Sequence, residues 1–296
     1  MKQDFIIFRS EVERMKLNIP IEETIKKRVS TRTYDSKRLS TIDKEKLVNE
    51  ISRLTNPFGE NVRVHIIEKD TVSNGEKLGT YGVIKGANTF LGVTTDKTEF
   101  GLVAAGYQFE NLVLIATNMG LATVWLAATF SRDQFEKAMD IQKDELFPAI
   151  SPIGYATGKR SITESLMRKT MKSDKRKPWE EIFFRDSFGN ALSRKEANEY
   201  VIPLEMLRLA PSATNAQPWR VVRKQDSYHF FETHKSNASE EDKMIKKVDL
   251  GIALSHFHQT ALEHGLEGKF EKLEDIKIDI PENTNYIITW KTPYNL

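Results

Sequence analysis

The chain carries one helical pattern twice. Between residues 99 and 119, Leu102, Ala105, Phe109, Leu112, Val113 and Ala116 recur at spacings of three and four, which puts a broad apolar face on a helix. Gly120 follows as a C-cap, and residues 121–126 read as a buried strand leaving it. A second stretch sets Leu250, Ala253, Leu254, Phe257, Ala261 and Leu262 on one face and ends at Gly265. Gly106 precedes Gly120 by 14 positions and Gly251 precedes Gly265 by 14, so both copies place a small residue where another backbone can approach closely.

Weaker echoes keep the same order. Arg53-Leu54 before Arg63-Val64 resembles Arg208-Leu209 before Arg220-Val221, and Leu39-Ser40 and Leu192-Ser193 each precede a charged helical segment. An order of features preserved twice points to duplication. With 296 residues the chain exceeds the ~250 at which one core stops growing, so two units are expected, residues 1–165 and 166–296. Residues 161–177, rich in Ser, Thr, Lys and Arg, read as a surface linker, and Lys159, Arg160 and Lys172 as a solvated face.

Further helices are expected at 21–27, 41–54, 132–139 and 195–209, and strands at 62–68, 90–94, 219–222, 229–232 and 286–290. Residues 239–247 read as a solvated loop or helix end.

A net charge of +2 is too small to make nucleic acid or an anionic membrane the main partner, so any anion site must be local. The absence of cysteine rules out disulfides, thiolate chemistry and Cys-ligated zinc, leaving redox work to a cofactor, and fits a cytoplasmic location. No apolar run approaches the ~20 residues of a membrane span, and residues 1–11 lack the apolar core of a signal peptide. Histidines 256 and 258, two apart on a helix, point to different faces, and no metal site is expected. Walker, nucleophile-elbow and dinucleotide-binding fingerprints do not occur.

Two segments can carry chemistry. Residues 28–32 place Arg28 and Arg32 around Ser30 and Thr31, donors suited to a phosphate or an anionic ring edge; a solvated basic turn is the plainer reading. Residues 210–219 present Ser212, Thr214, Asn215 and Gln217 on one loop stiffened by Pro211 and Pro218. Its amides both donate and accept, as a flavin edge requires, although a structural turn stapled by Trp219 reads equally well.

Arg28-x-Ser30-x-Arg32 together with Ala-Pro-Ser-Ala-x-Asn-x-Gln-Pro-Trp resembles the two signature segments of the nitroreductase family of FMN enzymes. Gly106 to Trp125 resembles that family's central helix and following strand, Pro152-Ile-Gly154-Tyr its Gly-containing strand end, and Lys175-Arg176-Lys-Pro-Trp-Glu-Glu181 the basic segment that closes over the flavin phosphate in many members. In a typical member both signatures lie in one subunit of a homodimer, whereas here one lies in each half. The resemblance therefore implies an α+β nitroreductase-like fold of two related, helix-flanked mixed-sheet halves packed as an intramolecular pseudo-dimer, for which a monomer suffices.

The implied FMN site joins Arg28, Ser30, Arg32, Gly154, Lys175 and Arg176 with Pro211, Ser212, Ala213, Asn215 and Gln217. Arg28, Lys175 and Arg176 would serve the phosphate and ribityl end, and residues 211–217 the isoalloxazine edge. A shift of 153 sets Glu181 opposite Arg28 and Phe183 opposite Ser30, and the counterpart loop at 55–61 carries Glu60, so one FMN per chain is expected. The implied activity is ping-pong hydride transfer from NADH or NADPH through FMN to nitroaromatic, quinone or flavin acceptors, with no obligatory side-chain catalyst. A flavin-storing or sensing protein, and a degenerate fold without flavin, are the alternatives.

Overall fold

The computed structural model describes residues 14–69, 78–158 and 175–293. The boundary expected near 165, most of the linker at 161–177, and Lys159, Arg160 and Lys172 lie outside the described residues.

Two sheets flank a central pair of helices. The first sheet is built from β1 (Val62–Glu68), β2 (Thr89–Asp96), β3 (Ala122–Thr123) and β4 (Glu145–Gly154), in the order β1-β2-β4-β3. The second contains β5 (Phe183–Arg185), β6 (Trp219–Lys224), β7 (Ser227–Thr233), β8 (Lys269–Glu271) and β9 (Thr284–Lys291), in the order β5-β6-β7-β9-β8. Without β5 the two orders are the same: first, second, fourth, third. These strands pair antiparallel in both sheets, while β5 joins β6 in parallel and Ser30 bridges Thr123 in parallel at the other sheet's β3 edge.

That placement corrects the mirror alignment. Phe183 lies beside β6, the counterpart of β1, but Ser30 lies beside β3 at the opposite sheet edge, so a shift of 153 does not superpose them.

Six helices are named here: α1 (Ile21–Lys27), α2 (Thr41–Ile51), α3 (Gly101–Asn118), α4 (Arg132–Met139), α5 (Val201–Arg208) and α6 (Glu240–Glu263). α3 and α6 are the duplicated helices and pack on each other. A single apolar face was the expectation, but residues 101–117 and 248–262 are buried on every side, because each helix has the other on one flank and is covered elsewhere by the sheets and by α1, α2 or α5. Ala105, Phe109, Leu112 and Ala116 join the core of the first sheet, and Leu102, Val103 and Tyr107 that of the second.

The two glycines make the close approach. A methyl group on Gly106 would run into the carbonyl oxygen of Val248, and one on Gly251 into that of Val103. The contacts are reciprocal under a constant offset of 145 residues (251 − 106 and 248 − 103), as the isologous interface of a two-fold dimer demands.

Elsewhere the periodic segments hold and their ends move. α5 starts at Val201 rather than 195, because Pro203 lacks the N–H that an earlier start would need and fits only the first turn; Asn198 also turns left-handed at φ 50°. Residues 240–247 extend α6 by two turns, begun by a Ser239–Asp242 capping box. The expected strand at 121–126 is two residues long, with Leu126 bridging Ile150 separately. No helix among the described residues is long and apolar enough to cross a membrane.

α1 sits where the two units meet. Ile21 and Ile25 pack with Leu114 of α3 and Met206 of α5. Its first turn is capped from the far end of α6, where the Glu263 carboxylate accepts from the Ile21 N–H at 2.7 Å and the Glu22 N–H at 3.0 Å.

Candidate functional site

Residues 210–217 leave α5 and enter β6 through a left-handed path, with Thr214, Asn215 and Gln217 at φ 52°, 57° and 50°. Non-glycine residues hold such angles only where the surroundings fix them. Here the Ala213 N–H donates to Asp249 Oδ1 at 2.9 Å and the Gln217 N–H to Ser212 Oγ at 2.9 Å. Trp219 anchors the end of the loop, fully buried in the second core.

The basic segment closes over this loop. Arg176 donates through Nε and Nη2 to the Leu209 carbonyl at 3.3 and 3.0 Å, and through Nη1 to Asn215 Oδ1 at 3.4 Å. Asn215 Nδ2 returns a bond to the Lys175 carbonyl at 3.0 Å, and Gln217 Oε1 accepts from the Lys177 N–H at 2.7 Å. Lys175, Arg176, Ser212, Ala213, Asn215 and Gln217 are thereby brought together. Gln217 is buried, with both ends of its amide engaged by the protein, so it shapes the loop from within. Lys177 and Arg220 add positive potential; burial, and then the Arg220 charge, pull the Lys177 ammonium below its ordinary value.

The other expected cluster forms on the first sheet. Arg28 is the C-cap of α1, its N–H donating to the Thr24 carbonyl at 2.9 Å. Ser30 runs beside β3, Arg32 is buried, and its carbonyl accepts from the Lys85 N–H at 2.9 Å. Gly154 ends β4 against Tyr34, whose ring would stand 3.3 Å from a Cβ at that position.

What joins the clusters is a buried polar chain that the residue pattern did not single out. Arg28 Nε lies 3.8 Å from Glu110 Oε1 on α3. Glu110 Oε1 is 2.9 Å from His256 Nε2 on α6, and His256 Nδ1 is 3.0 Å from the Met206 carbonyl on α5, one turn before the loop. Trp125 Nε1 donates to Glu110 Oε2 at 2.6 Å. The sequence signal was a glutamate, between Gln108 and Asn111, on a largely apolar helical run. His258, two residues on, faces elsewhere, its Nδ1 2.7 Å from the Tyr107 hydroxyl.

The counterpart loop at 55–61 is built differently. Asn56 turns inward to the Glu60 carbonyl and Gln108 Oε1, at 2.8 and 3.0 Å. Phe58 stacks on Phe100 and meets Tyr107 and Phe270 at ring separations of 6.0, 5.6 and 5.7 Å. Aromatic rings crowd one side of this loop.

Asp249 was also missed. It is buried beneath residue 213, and burial lifts its carboxyl to about 7. Unfolded, the group titrates near 3.8, so between those values the folded protein holds a proton that the unfolded chain has released. Its contribution to stability therefore falls as pH rises from about 4 to about 7 and is flat above that. Asp249→Asn should remove this slope, worth on the order of a few kcal/mol, in urea midpoints measured across the range; an unchanged slope would refute the assignment.

A family model described as Putative TM nitroreductase matches residues 20–261 of the chain. The crystal structure of a putative nitroreductase from Thermotoga maritima is 22% identical, covers 93% of this chain and 95% of its own, and superposes with a TM-score of 0.57. A nitroreductase family protein from Clostridium difficile 630 is 19% identical over 50% of this chain and 91% of its own, with a TM-score of 0.37. A nitroreductase with bound FMN from Desulfitobacterium hafniense DCB-2 is 17% identical over 47% and 89%, with a TM-score of 0.38. No curated protein matches. The Thermotoga likeness shows the fold, an α+β nitroreductase-like architecture.

Proposed function

The chain belongs to the Putative TM nitroreductase family, and on that premise we propose that it is an FMN-dependent oxidoreductase carrying electrons from NADH or NADPH to a small-molecule acceptor. The observation that supports this most is the meeting of Lys175, Arg176 and Asn215 on one left-handed loop, tied through Met206, His256 and Glu110 to Arg28. The donor set fits FMN. Guanidinium forks and an ammonium suit its dianionic phosphate, and amide and backbone N–H groups held at positive φ suit the acceptor edge of its ring.

Bound FMN supplies the hydride chemistry, with nitroaromatics, quinones or free flavins as the acceptor class. In this reading Arg28, Lys175 and Arg176 offset the phosphate charge, and Ser30 and Arg32 donate nearby. Gly154 keeps the end of β4 low beside Tyr34. Pro211, Ser212, Ala213 and Asn215 line the ring edge, with Gln217 holding their backbone in place. No side chain is required to act as acid or base. In this reading the chain takes one cofactor and acts as a monomer, which the ring cluster around Phe58 at the counterpart loop and the α3–α6 contact within one polypeptide support.

The purified chain reconstituted with FMN should retain about one flavin per chain, bleach under anaerobic NADH or NADPH, and recover its colour when a quinone is added. Flavin that binds without bleaching would make the protein a store or sensor. Failure to retain flavin would make it a degenerate member of the family. Size-exclusion chromatography reads the monomer separately.

A further inference from the structure

The offset of 145 that exchanges Gly106–Val248 with Val103–Gly251 also acts one turn further along. It carries Glu110 onto Ser255 and Asn111 onto His256. The Glu110–His256 contact and the Ser255–Asn111 contact, 2.8 Å from Oγ to Oδ1, are therefore the same place seen from the two sides of the pseudo-two-fold. All four side chains are buried.

The two pairs have diverged in what they reach. Ser255 and Asn111 bond to each other between the helices. Glu110 and His256 extend outward, to Arg28 and Trp125 in the first unit and to the Met206 carbonyl in the second. A carbonyl can only accept, so His256 Nδ1 carries a hydrogen. The 2.9 Å contact on the ring's other side then needs one more proton, shared by Nε2 and Glu110 Oε1. The hydrogen-bonded links from Trp125 through Glu110 and His256 to Met206 are stiff, since displacing any of them strands a buried polar group, and Arg28 joins them by charge at 3.8 Å.

We propose that Glu110 and His256 are positioning residues that lock the Arg28 segment to the loop at 209–217, and so reserve this one of the two symmetry-related sides for flavin. The inference rests on the flavin reading above. Neither residue need touch the cofactor. Their effect is exerted through Arg28 on one side and, through Met206, on the loop on the other.

The symmetry supplies its own test. The double variant Glu110→Ser with His256→Asn installs on this side the pair that the fold already accommodates on the other. It should fold, and its FMN dissociation constant, read from the quenching of flavin fluorescence, should rise at least tenfold, with altered visible circular dichroism of the bound flavin. Glu110→Gln keeps the hydrogen bonds to His256 Nε2 and from Trp125 but loses the ion pair with Arg28, so its FMN dissociation constant should fall between those of the wild type and the double variant. Ser255→Ala, on the opposite side, should leave the constant within about twofold.

A folded double variant that binds FMN as wild type does overturns the proposal, as does an equal loss in Ser255→Ala. If the double variant does not fold, His256→Asn alone decides: its amide keeps the Met206 bond and loses the Glu110 link, and unchanged flavin affinity overturns the proposal while a tenfold loss supports it. A wild-type chain that binds no FMN overturns this inference together with the function it rests on, which distinguishes that failure from the others.

Discussion

Gly251→Ala is expected to destabilise the protein by about 3 kcal/mol or more, although it adds one methyl group to a helix and alanine is the better helix former. The methyl would meet the Val103 carbonyl, a backbone atom that no rotamer change can move aside, so relief requires the helices to part. Parting them loosens both cores, because α3 contributes to each. Gly106→Ala should cost a similar amount through Val248. The double variant should cost less than the sum, since helices already separated for one methyl admit the second more cheaply. Gly265, at φ 69° with nothing within 4 Å of where a methyl group would stand, provides the contrast. Gly265→Asn should be nearly neutral, because asparagine tolerates the left-handed region in open space. Urea unfolding of the four variants checks the ordering, and a Gly251→Ala variant as stable as wild type would mean that the helices are not in this contact.

Arg176→Ala should weaken FMN binding by roughly 10- to 100-fold, the worth of one charge-assisted hydrogen bond. Arg176 also holds the Leu209 carbonyl and Asn215, so loss of affinity alone would not separate a phosphate ligand from a loop brace. Riboflavin, which lacks the phosphate, makes the separation. A phosphate ligand predicts a large loss for FMN and little for riboflavin, whereas a brace predicts equal losses. Asn215→Ala should behave in the second way, because its amide joins the loop to the Lys175 carbonyl. Glu60→Gln should leave both affinities within about twofold, Glu60 being engaged by Thr98 on the counterpart side.

Local chemistry was the legible part of this fold. The limits of α4 and β1 follow from the sequence alone, because Ser131 and Asn61 stand at natural boundaries and the intervening patterns are clean. The duplicated helices were legible from their apolar spacing and the glycines within it. β4 was legible only at its Gly154 end, since Pro148 and Pro152 argue against a strand; Pro148 is accommodated where the register slips between Val93 and Thr95. The loop at 211–217 announced itself by composition, whereas the bonds from Arg176 to Leu209 and Asn215 are visible only in the structure. What binds the two clusters together was not legible. Glu110 and His256 stand 146 positions apart, and nothing near either residue states that it has a partner. Asp249 is equally silent, an acidic residue after a run of charge that turns out to face the N–H of Ala213.

The capping of α1 by Glu263 bears on the order in which the polypeptide can assemble. The bonded residues are separated by 242 positions, so the first turn of α1 is left with open amides until residue 263 has been made. The first sheet can form its own ladder meanwhile, but the arginine that ends α1 takes its final place only after the far end of α6 has been made. On the proposed function, acquisition of the cofactor would then wait for α6 to be made.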